Sequence, residues 1–247
     1  ELTHLATLYH DDVMDEAPLR RGVVSANSRW NNTIAILTGD FLFAKASELL
    51  ADLGPEAVRI QAKTFERLCT GQILESIGPS EDPLAHYLKV VSDKTGSLIA
   101  TSAQFGAMLA GVSASEIAQV TAFAEKIGIA FQLADDVIDI ASDSGVSGKT
   151  PGTDLREGVS TLVTLHVMAS KDPADDELKQ ILSQPIQDEK VLEETLQRLR
   201  VHPAMAAARN QLHEISRSAK LDLNALPNSA VSQALASLCD AIIERSA

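Results

Sequence analysis

Two clusters of aspartate are the residues of this chain best suited to chemistry. Each has the sequence Asp-Asp-x-x-Asp, and the members are Asp11, Asp12 and Asp15 in the first cluster and Asp135, Asp136 and Asp139 in the second. On a helix, residues four apart share a face, so the outer aspartates of each cluster repel each other unless a cation neutralises them. Carboxylate oxygens are hard ligands that suit Mg²⁺, which commonly also contacts phosphate oxygens. The pattern therefore predicts a magnesium site for a phosphate-bearing ligand.

The alternative is a pair of unrelated acidic surface patches. One Asp-Asp-x-x-Asp sequence would arise by chance in roughly one chain in ten of this composition, so a single copy says little. Two copies are much rarer, and both lie in mostly apolar helical segments. Leu8 and Val13 flank the first cluster, and Leu133 and Val137 flank the second. The paired pattern favours the metal site.

A few basic and amide side chains could complete a phosphate site. Arg20 and Arg21 follow the first cluster, and their alternative role is that of an ordinary solvated loop. Lys94 interrupts an apolar helical segment, and Lys149 lies in a loop rich in glycine and serine after the second cluster. Arginine can contact phosphate through two parallel hydrogen bonds, and lysine acts as a point charge. Gln132 is equally open to two interpretations, a phosphate donor or a satisfied core amide.

The elements that must hold these residues are helical almost throughout. Apolar residues recur at spacings of three and four, and strict alternation is nearly missing. The pattern predicts the end of a helix over 1–16 and a polar loop over 19–31. Further helices are predicted at 32–52, 55–77, 83–110, 113–143, 155–170, 174–183, 188–201, 203–220 and 228–245.

Composition narrows the class of protein. The chain has 247 residues, 45% hydrophobic and 4% aromatic, which disfavours disorder and an all-β sandwich. The net charge of −13 removes the general attraction that nucleic acid or an anionic membrane would need. Membrane-length apolar runs are absent, and Cys69 and Cys239 fit reduced thiols, although a single bridge stays open. We expect a soluble, cytoplasmic, all-α protein.

The candidate residues occur within a longer series of motifs. The segments are residues 10–15 (His-Asp-Asp-Val-Met-Asp), 19–22 (Leu-Arg-Arg-Gly), 25–27, 30–32, 39–42 (Gly-Asp-Phe-Leu), 94–96 (Lys-Thr-Gly), 131–139, 148–149 and 152–155. In this order they resemble the motifs of the trans-isoprenyl (polyprenyl) diphosphate synthases, long-chain type. The resemblance extends from residue 1 to about residue 165, and the paired aspartate motifs make it highly specific.

The resemblance implies an antiparallel helical bundle around a deep central cavity, usually in a homodimer, with the aspartate motifs facing each other across the cavity mouth. It implies about three Mg²⁺ ions per site. The metal-binding and supporting carboxylates would be Asp11, Asp15 and Asp135, with Asp12, Asp136 and Asp139 beside them. The resemblance implies that Arg20, Lys94 and Lys149 contact the allylic diphosphate. Arg21, and in part Phe131 and Gln132, would serve the isopentenyl diphosphate side, and Thr95 is a further substrate-binding residue. The catalytic set would be Lys94 with Asp11, Asp12, Asp15, Asp135 and Asp136.

The implied reaction is head-to-tail condensation of isopentenyl diphosphate with an allylic diphosphate, farnesyl or geranylgeranyl. In the family, residues four and five before the first aspartate set the depth of the cavity, and large aromatics there give short products. Thr7 and Ala6 occupy these positions and are small, with Thr3 one turn further down. We therefore expect a product longer than geranylgeranyl diphosphate, to be handed to membrane enzymes.

The sequence departs from the family pattern in two places. A Gly-Lys-Arg segment and a histidine before the first aspartate motif are not found, and Val159 stands where many members have a second lysine. We expect one domain over 1–247 that lacks N-terminal helices. The alternatives are a short-chain synthase, a non-catalytic subunit of a heteromeric synthase, a terpene cyclase and an acidic helical scaffold.

Overall fold

The computed structural model describes residues 1–79, 81–142 and 151–245. Helices dominate it, which confirms the all-α prediction, and a hairpin of two-residue strands accompanies them. The chain divides into two compact units, Glu1–Lys63 and Thr64–Ala247, and the division falls inside one long helix. That residues 1–247 form a single domain stays a prediction. Within the described ranges, no helix has both the length and the apolar character needed to cross a membrane.

The first unit is built around two packed helices. Its elements are α1 (Leu2–Met14), β1 (Leu19–Arg20), β2 (Val23–Val24), α2 (Ala26–Arg29), α3 (Asn32–Ala51) and the start of α4 (Pro55–Ile77). Small residues let α1 approach α3, since Ala6 and Ala35 are both fully buried. The predicted polar loop over 19–31 is wrong, because a hairpin and the short helix α2 lie there. Strands of two residues are too short to show alternation in the sequence.

The second unit is organised around α7 (Ala114–Ala141), whose Phe123, Leu133 and Ile140 are almost fully buried. Its start has the capping box of Ser113 and Glu116 that the spacing predicts. The other elements are α5 (Pro83–Val91), a π-helix (Ser92–Gly96), α6 (Ser97–Leu109), α8 (Thr153–Glu157), α9 (Leu162–Met168), a 3₁₀ turn (Pro173–Asp175), α10 (Asp176–Leu182), α11 (Glu189–Val201), α12 (Pro203–Asp222), a second 3₁₀ turn (Leu223–Ala225) and α13 (Ala230–Arg245).

Two predicted helices of this unit differ in detail. The helix expected over 83–110 is interrupted by the π-helix, and the one expected over 155–170 is split into α8 and α9. The π-helix packs closely on α7, because a Cβ placed on Gly128 would lie only 2.7 Å from the Cα of Gly96. Two glycines therefore bring the backbone that carries Lys94 against the helix that carries the second aspartate cluster.

Candidate active site

The first aspartate cluster lies on the last turn of α1, within the first unit. Asp12 is 4% exposed, and its Oδ1 accepts from Nε of Arg20 at 2.6 Å and pairs with Nη2 at 2.5 Å. Asp11 is half-buried, whereas Asp15 is exposed and caps the C-terminus of α1. Negative charge at a helix C-terminus opposes the helix dipole, so these outer aspartates gain from a cation.

The hairpin after α1 determines where the two arginines lie. Arg21 and Gly22 join the strands with φ of 52° and 79°, the positive values that a two-residue type I′ turn requires. The chain then folds back, and Asn27 Nδ2 donates to the carbonyl of Asp12 at 3.0 Å. The predicted diphosphate ligand Arg20 is thus held by Asp12, while Arg21 is exposed at the tip of the turn.

The ring of His10, next to the first cluster, packs against α3 at Gly39. Its Nε2 donates to the carbonyl of Ile36 at 3.0 Å and lies 3.4 Å from Oδ1 of Asp40. A Cβ on Gly39 would lie 2.2 Å from that nitrogen, so a side chain there would collide with the ring. The packing explains the glycine of the Gly-Asp-Phe-Leu segment and fixes the rotation of the helix that carries the aspartates.

In the second cluster, Asp136 is a buried anion with a full set of donors. It is 4% exposed and accepts hydrogen bonds from the phenol of Tyr87, from Nε2 of Gln132 at 3.2 Å and from the backbone N–H of Leu162 at 3.3 Å. Burial raises the pKa of Asp136 to about 6, although these hydrogen bonds oppose the shift. Asp136 is placed to hold other side chains in position.

The other two aspartates of this cluster have different surroundings. Asp135 is more accessible and forms an ion pair with Arg245 at the end of α13. That guanidinium also lies 4.7 Å from the ring centre of Phe131. Asp139 accepts from the backbone N–H groups of Thr153 and Asp154 at 3.2 and 3.3 Å, at the start of α8. A metal ion that bound Asp135 would therefore have to displace the guanidinium of Arg245.

A cavity of about 440 Å³ lies beside this cluster, within the second unit. Lys94 and Thr95 line it together with Gln132 and Asp136, a pair that lies nearly 40 residues later in the sequence. The ammonium of Lys94 pairs with Glu75, which also lines the cavity. Thr95 Oγ1 donates to Oε1 of Gln132 at 3.3 Å, so the amide is satisfied and lines the cavity at the same time. The structure confirms that the amide of Gln132 is satisfied, and its contact with a phosphate stays a prediction.

The other positions predicted from the sequence lie at this cavity, in the first unit or outside the described residues. Val159 lines the same cavity, so the position where many family members have a lysine is apolar. Thr3 is buried and accepts from Gln61 Nε2 at 2.6 Å, Ala6 is fully buried, and Thr7 is half-buried. Lys149, with its neighbour Gly148, lies outside the described residues.

Within the described ranges, no three Asp, Glu, His or Cys side chains are grouped so as to hold a metal ion. Mg²⁺ keeps waters and is commonly held by one or two carboxylates plus substrate phosphates. Asp15 is exposed and Asp11 and Asp135 are half-buried, whereas Asp12 and Asp136 are buried. The donor chemistry fits a divalent ion that phosphate helps to bind.

Sequence reasoning missed three residues of this site. Tyr87 contacts Asp136, Glu75 contacts Lys94, and Arg245 contacts Asp135. Each is separated by 19 or more positions from its partner. The sequence gives no local pattern for such pairs. The only available signal was that a buried aspartate needs a donor and an intrahelical lysine needs an acceptor.

Comparison with known proteins decides the family. The family model described as polyprenyl synthetase matches residues 1–199. The chain belongs to the polyprenyl synthetase family. This result confirms the predicted family, and with the helical structure it confirms the fold and the class of prenyl-transferring enzyme.

Polyprenyl synthetases of different product length resemble this chain. It is 48% identical over 247 residues to the nonaprenyl diphosphate synthase of Mycobacterium tuberculosis, covering 99% of this chain and 74% of that protein. The geranylgeranyl pyrophosphate synthase of Corynebacterium glutamicum, solved with calcium and isoprenyl diphosphate, is 42% identical with a TM-score of 0.89, covering 99% of this chain and 75% of that one. The decaprenyl diphosphate synthase of Rhodobacter capsulatus is 30% identical with a TM-score of 0.88, covering 100% and 77%.

Proposed function

We propose that this chain condenses isopentenyl diphosphate with an allylic diphosphate, farnesyl or geranylgeranyl, to make a longer trans-polyprenyl diphosphate. The observation that carries the proposal is the cavity that gathers Lys94, Thr95, Gln132 and Asp136 from two separate motifs. Membership of the polyprenyl synthetase family supports it. The M. tuberculosis relative, named as a nonaprenyl diphosphate synthase, supports the long-chain product.

The proposed cofactor is Mg²⁺. Asp11, Asp15 and Asp135 are its proposed ligands, because they belong to the two aspartate motifs and are less buried than Asp12 and Asp136. When bound, the metal would neutralise negative charge on the departing diphosphate. The calcium ion named with the C. glutamicum synthase supports a divalent ion in this family. The remaining aspartates, Asp12, Asp136 and Asp139, are proposed to orient neighbouring groups.

The proposed chemistry begins with ionisation of the allylic carbon–oxygen bond. Lys94 is placed to donate to the diphosphate oxygens, exchanging Glu75 for the substrate, since both line the cavity. Fixed cations aimed at developing charge lower the barrier because they need no reorganisation. The double bond of isopentenyl diphosphate then attacks the allylic cation, and loss of a proton, proposed to go to the released diphosphate, restores a double bond. Arg20 and Lys149 are further proposed diphosphate contacts, and Arg21, Thr95, Phe131 and Gln132 are proposed to bind the substrates.

The long-chain product rests on the small residues Thr3, Ala6 and Thr7. A short-chain synthase is the second candidate, since the C. glutamicum geranylgeranyl pyrophosphate synthase is 42% identical. The two candidates are distinguished by product size. A cytoplasmic location stays a prediction from the sequence.

A homodimer is also proposed, on the apolar character of α3. Ile34, Leu37, Phe41 and Leu49 recur at helical spacing and are each more than 40% exposed. Exposed apolar rows of this kind mark interaction surfaces. The matching surface of a second copy is the proposed occupant. We expect a mass in solution of twice the chain mass of 26.4 kDa, and Leu37→Lys to give the monomer; a monomeric unmodified chain would contradict the proposal.

The central experiment is a condensation assay of the purified chain with isopentenyl diphosphate and each allylic primer, followed by sizing of the products. We expect Mg²⁺-dependent products longer than geranylgeranyl diphosphate, and loss of product in Asp11→Ala. Products that stop at geranylgeranyl would identify the short-chain alternative. No condensation with either primer would indicate a non-catalytic subunit.

A further inference from the structure

One face of α4 receives the π-helix that carries Lys94. Arg67, Gly71 and Glu75 are spaced four residues apart on α4 and so form a single stripe. All three contact the π-helix segment 92–96. Arg67 contacts its first turn, Gly71 the stem of Lys94, and Glu75 the ammonium of Lys94. The stripe therefore follows the side chain of Lys94 from its backbone to its charged tip.

The aliphatic part of the Lys94 side chain packs closely against α4 at Gly71. A Cβ placed on Gly71 would lie 2.9 Å from Cγ of Lys94 and 3.2 Å from its backbone nitrogen. The two helices are thus in contact at this point. The direction of Lys94 therefore depends on how the π-helix is rotated against α4, because both its backbone nitrogen and its Cγ lie against this glycine.

The neighbouring Asp93 is a fully buried charge. It is 0% exposed, and Oδ1 accepts from Nε of Arg67 at 2.9 Å, while Oδ2 accepts from Nζ of Lys89. A buried carboxylate without such partners would be strongly unfavourable. Since Asp93 and Lys94 are adjacent in one helical turn, fixing the inward direction of the first fixes the direction of the second toward the cavity.

Arg67 holds more than this one carboxylate. Its Nη2 donates to Oγ of Ser92 at 2.9 Å, to the backbone carbonyl of Ser92 at 3.3 Å and to Oε1 of Glu125 on α7 at 2.6 Å. The planar fork of a guanidinium presents its donors in a fixed geometry, so one side chain holds groups on both the π-helix and α7, whereas a flexible ammonium acts as a point charge. π-Helical turns are rare and often occur at functional sites. Arg67 links this π-helical turn to α4, on which it lies, and to α7.

We propose that Arg67, through Asp93, is a positioning residue that aims Lys94 at the substrate diphosphate. The inference rests on the proposed function, in which Lys94 contacts that diphosphate. Arg67 does not line the cavity and does not touch substrate itself. The competing explanation is that the ion-pair network only stabilises the fold. A stabilising network and a positioning network differ in one measurable respect, namely whether the effect of Arg67 depends on the presence of Lys94.

A double-mutant cycle measures that dependence. Arg67→Met keeps the stem and removes the fork, and Lys94→Met removes the ammonium. We expect Arg67→Met alone to lower kcat/KM for the allylic substrate by about tenfold to a hundredfold, because small misplacements have costs of this size. In the Lys94→Met background, the same change should cost less than about threefold. Affinity for inorganic diphosphate in Mg²⁺, measured by calorimetry, should show the same pattern.

Arg59→Met is the matched control, since Arg59 lies on the same helix and pairs with Glu56 at the surface. It should leave kcat/KM unchanged in both backgrounds. If the losses from Arg67→Met and Lys94→Met multiply, Arg67 acts on the fold alone and the inference is overturned. If Lys94→Met has no effect on condensation or diphosphate affinity, the proposed role of Lys94 fails, which is a different outcome.

Should Arg67→Met not fold, Ser92→Ala answers the same question. This change removes one side-chain acceptor of Arg67, so the guanidinium that pairs with Asp93 is held less firmly. We expect a smaller loss in the same direction, again dependent on Lys94. An equal loss with and without the lysine overturns the inference.

Discussion

The phenol of Tyr87 donates a hydrogen bond to Oδ2 of Asp136, a residue 49 positions later in the chain. Asp136 is buried and Tyr87 is half-buried, and desolvation, together with the charge of Asp136 and the hydrogen bond to it, raises the pKa of Tyr87 far above its ordinary value. The phenol of Tyr87 is therefore a neutral hydrogen-bond donor at neutral pH. Its role is to supply one of the hydrogen bonds that allow a carboxylate to lie beneath the cavity.

Tyr87→Phe should weaken both stability and activity. Removing the hydroxyl leaves a buried carboxylate one donor short, which costs about 1–3 kcal/mol. Thermal unfolding should occur several degrees lower, and condensation should slow as Gln132 and Thr95 lose a fixed neighbour. Tyr9→Phe is the control, because Tyr9 is the other tyrosine of the chain and lies outside this network. Equal effects of the two changes would contradict the role given to Tyr87.

Asp136→Asn should stabilise the metal-free protein above pH 6 while reducing activity. The folded pKa of about 6 exceeds the ordinary value of 3.8, so the unfolded chain binds fewer protons between these values and stability falls as pH rises. The shift of about two units corresponds to about 3 kcal/mol of stability lost by neutral pH. Asparagine has no charge to bury and escapes this loss.

Melting temperatures of both proteins between pH 4 and pH 8 test this expectation. The advantage of the asparagine variant should grow from pH 4 to pH 7 and then level off. A constant difference across that range would show that Asp136 does not titrate there.

Gly39→Ala should destabilise the first unit by about 1–3 kcal/mol, since an added methyl group collides with the ring of His10 and close-packed interiors tolerate such insertions poorly. Gly106→Ala is the control. Gly106 lies in α6 with open space around it, so alanine there should be neutral or slightly stabilising. Denaturant unfolding compares them, and His10→Ala combined with Gly39→Ala should recover part of the loss.

Thr7→Phe should shorten the product, whereas Ala6→Phe should mainly destabilise the protein. Ala6 is fully buried against its neighbours, so a phenyl ring must displace them, while Thr7 is half-buried. Product sizing and melting temperature, measured on both variants, separate the effects. Unchanged product length in Thr7→Phe would contradict the chain-length role of this position.

Arg245→Gln should raise the affinity for divalent ions. The guanidinium pairs with Asp135, so a metal must displace it. A partly exposed ion pair is worth about 1 kcal/mol, which corresponds to roughly a fivefold change in affinity. Calorimetry with Mg²⁺ and inorganic diphosphate measures it, and Asp135→Asn should abolish the difference. Weaker metal binding in Arg245→Gln would show that the arginine assists the site.

The aspartate clusters, their helical setting and the capping box at Ser113 could be predicted because each depends on residues close in sequence. The hydrogen bond of Tyr87 to Asp136 could not, because helix packing alone brings the two together. Arg245 and Asp135 are 110 positions apart, and no periodic pattern in the sequence predicts their contact. The π-helix was also beyond prediction, since an apolar pattern cannot distinguish one extra residue in a single turn from a regular helix.

The π-helix at Ser92–Gly96 also restricts how the length of this segment can change. Deleting one residue there would restore a regular helix but rotate everything beyond it by about 100° relative to α5. Either Asp93 and Lys94 would lose their present ion pairs, or Gly96 would no longer face Gly128. Related proteins that share the site should therefore keep the number of residues in this segment, because one insertion or deletion would displace Asp93, Lys94 and Gly96 together.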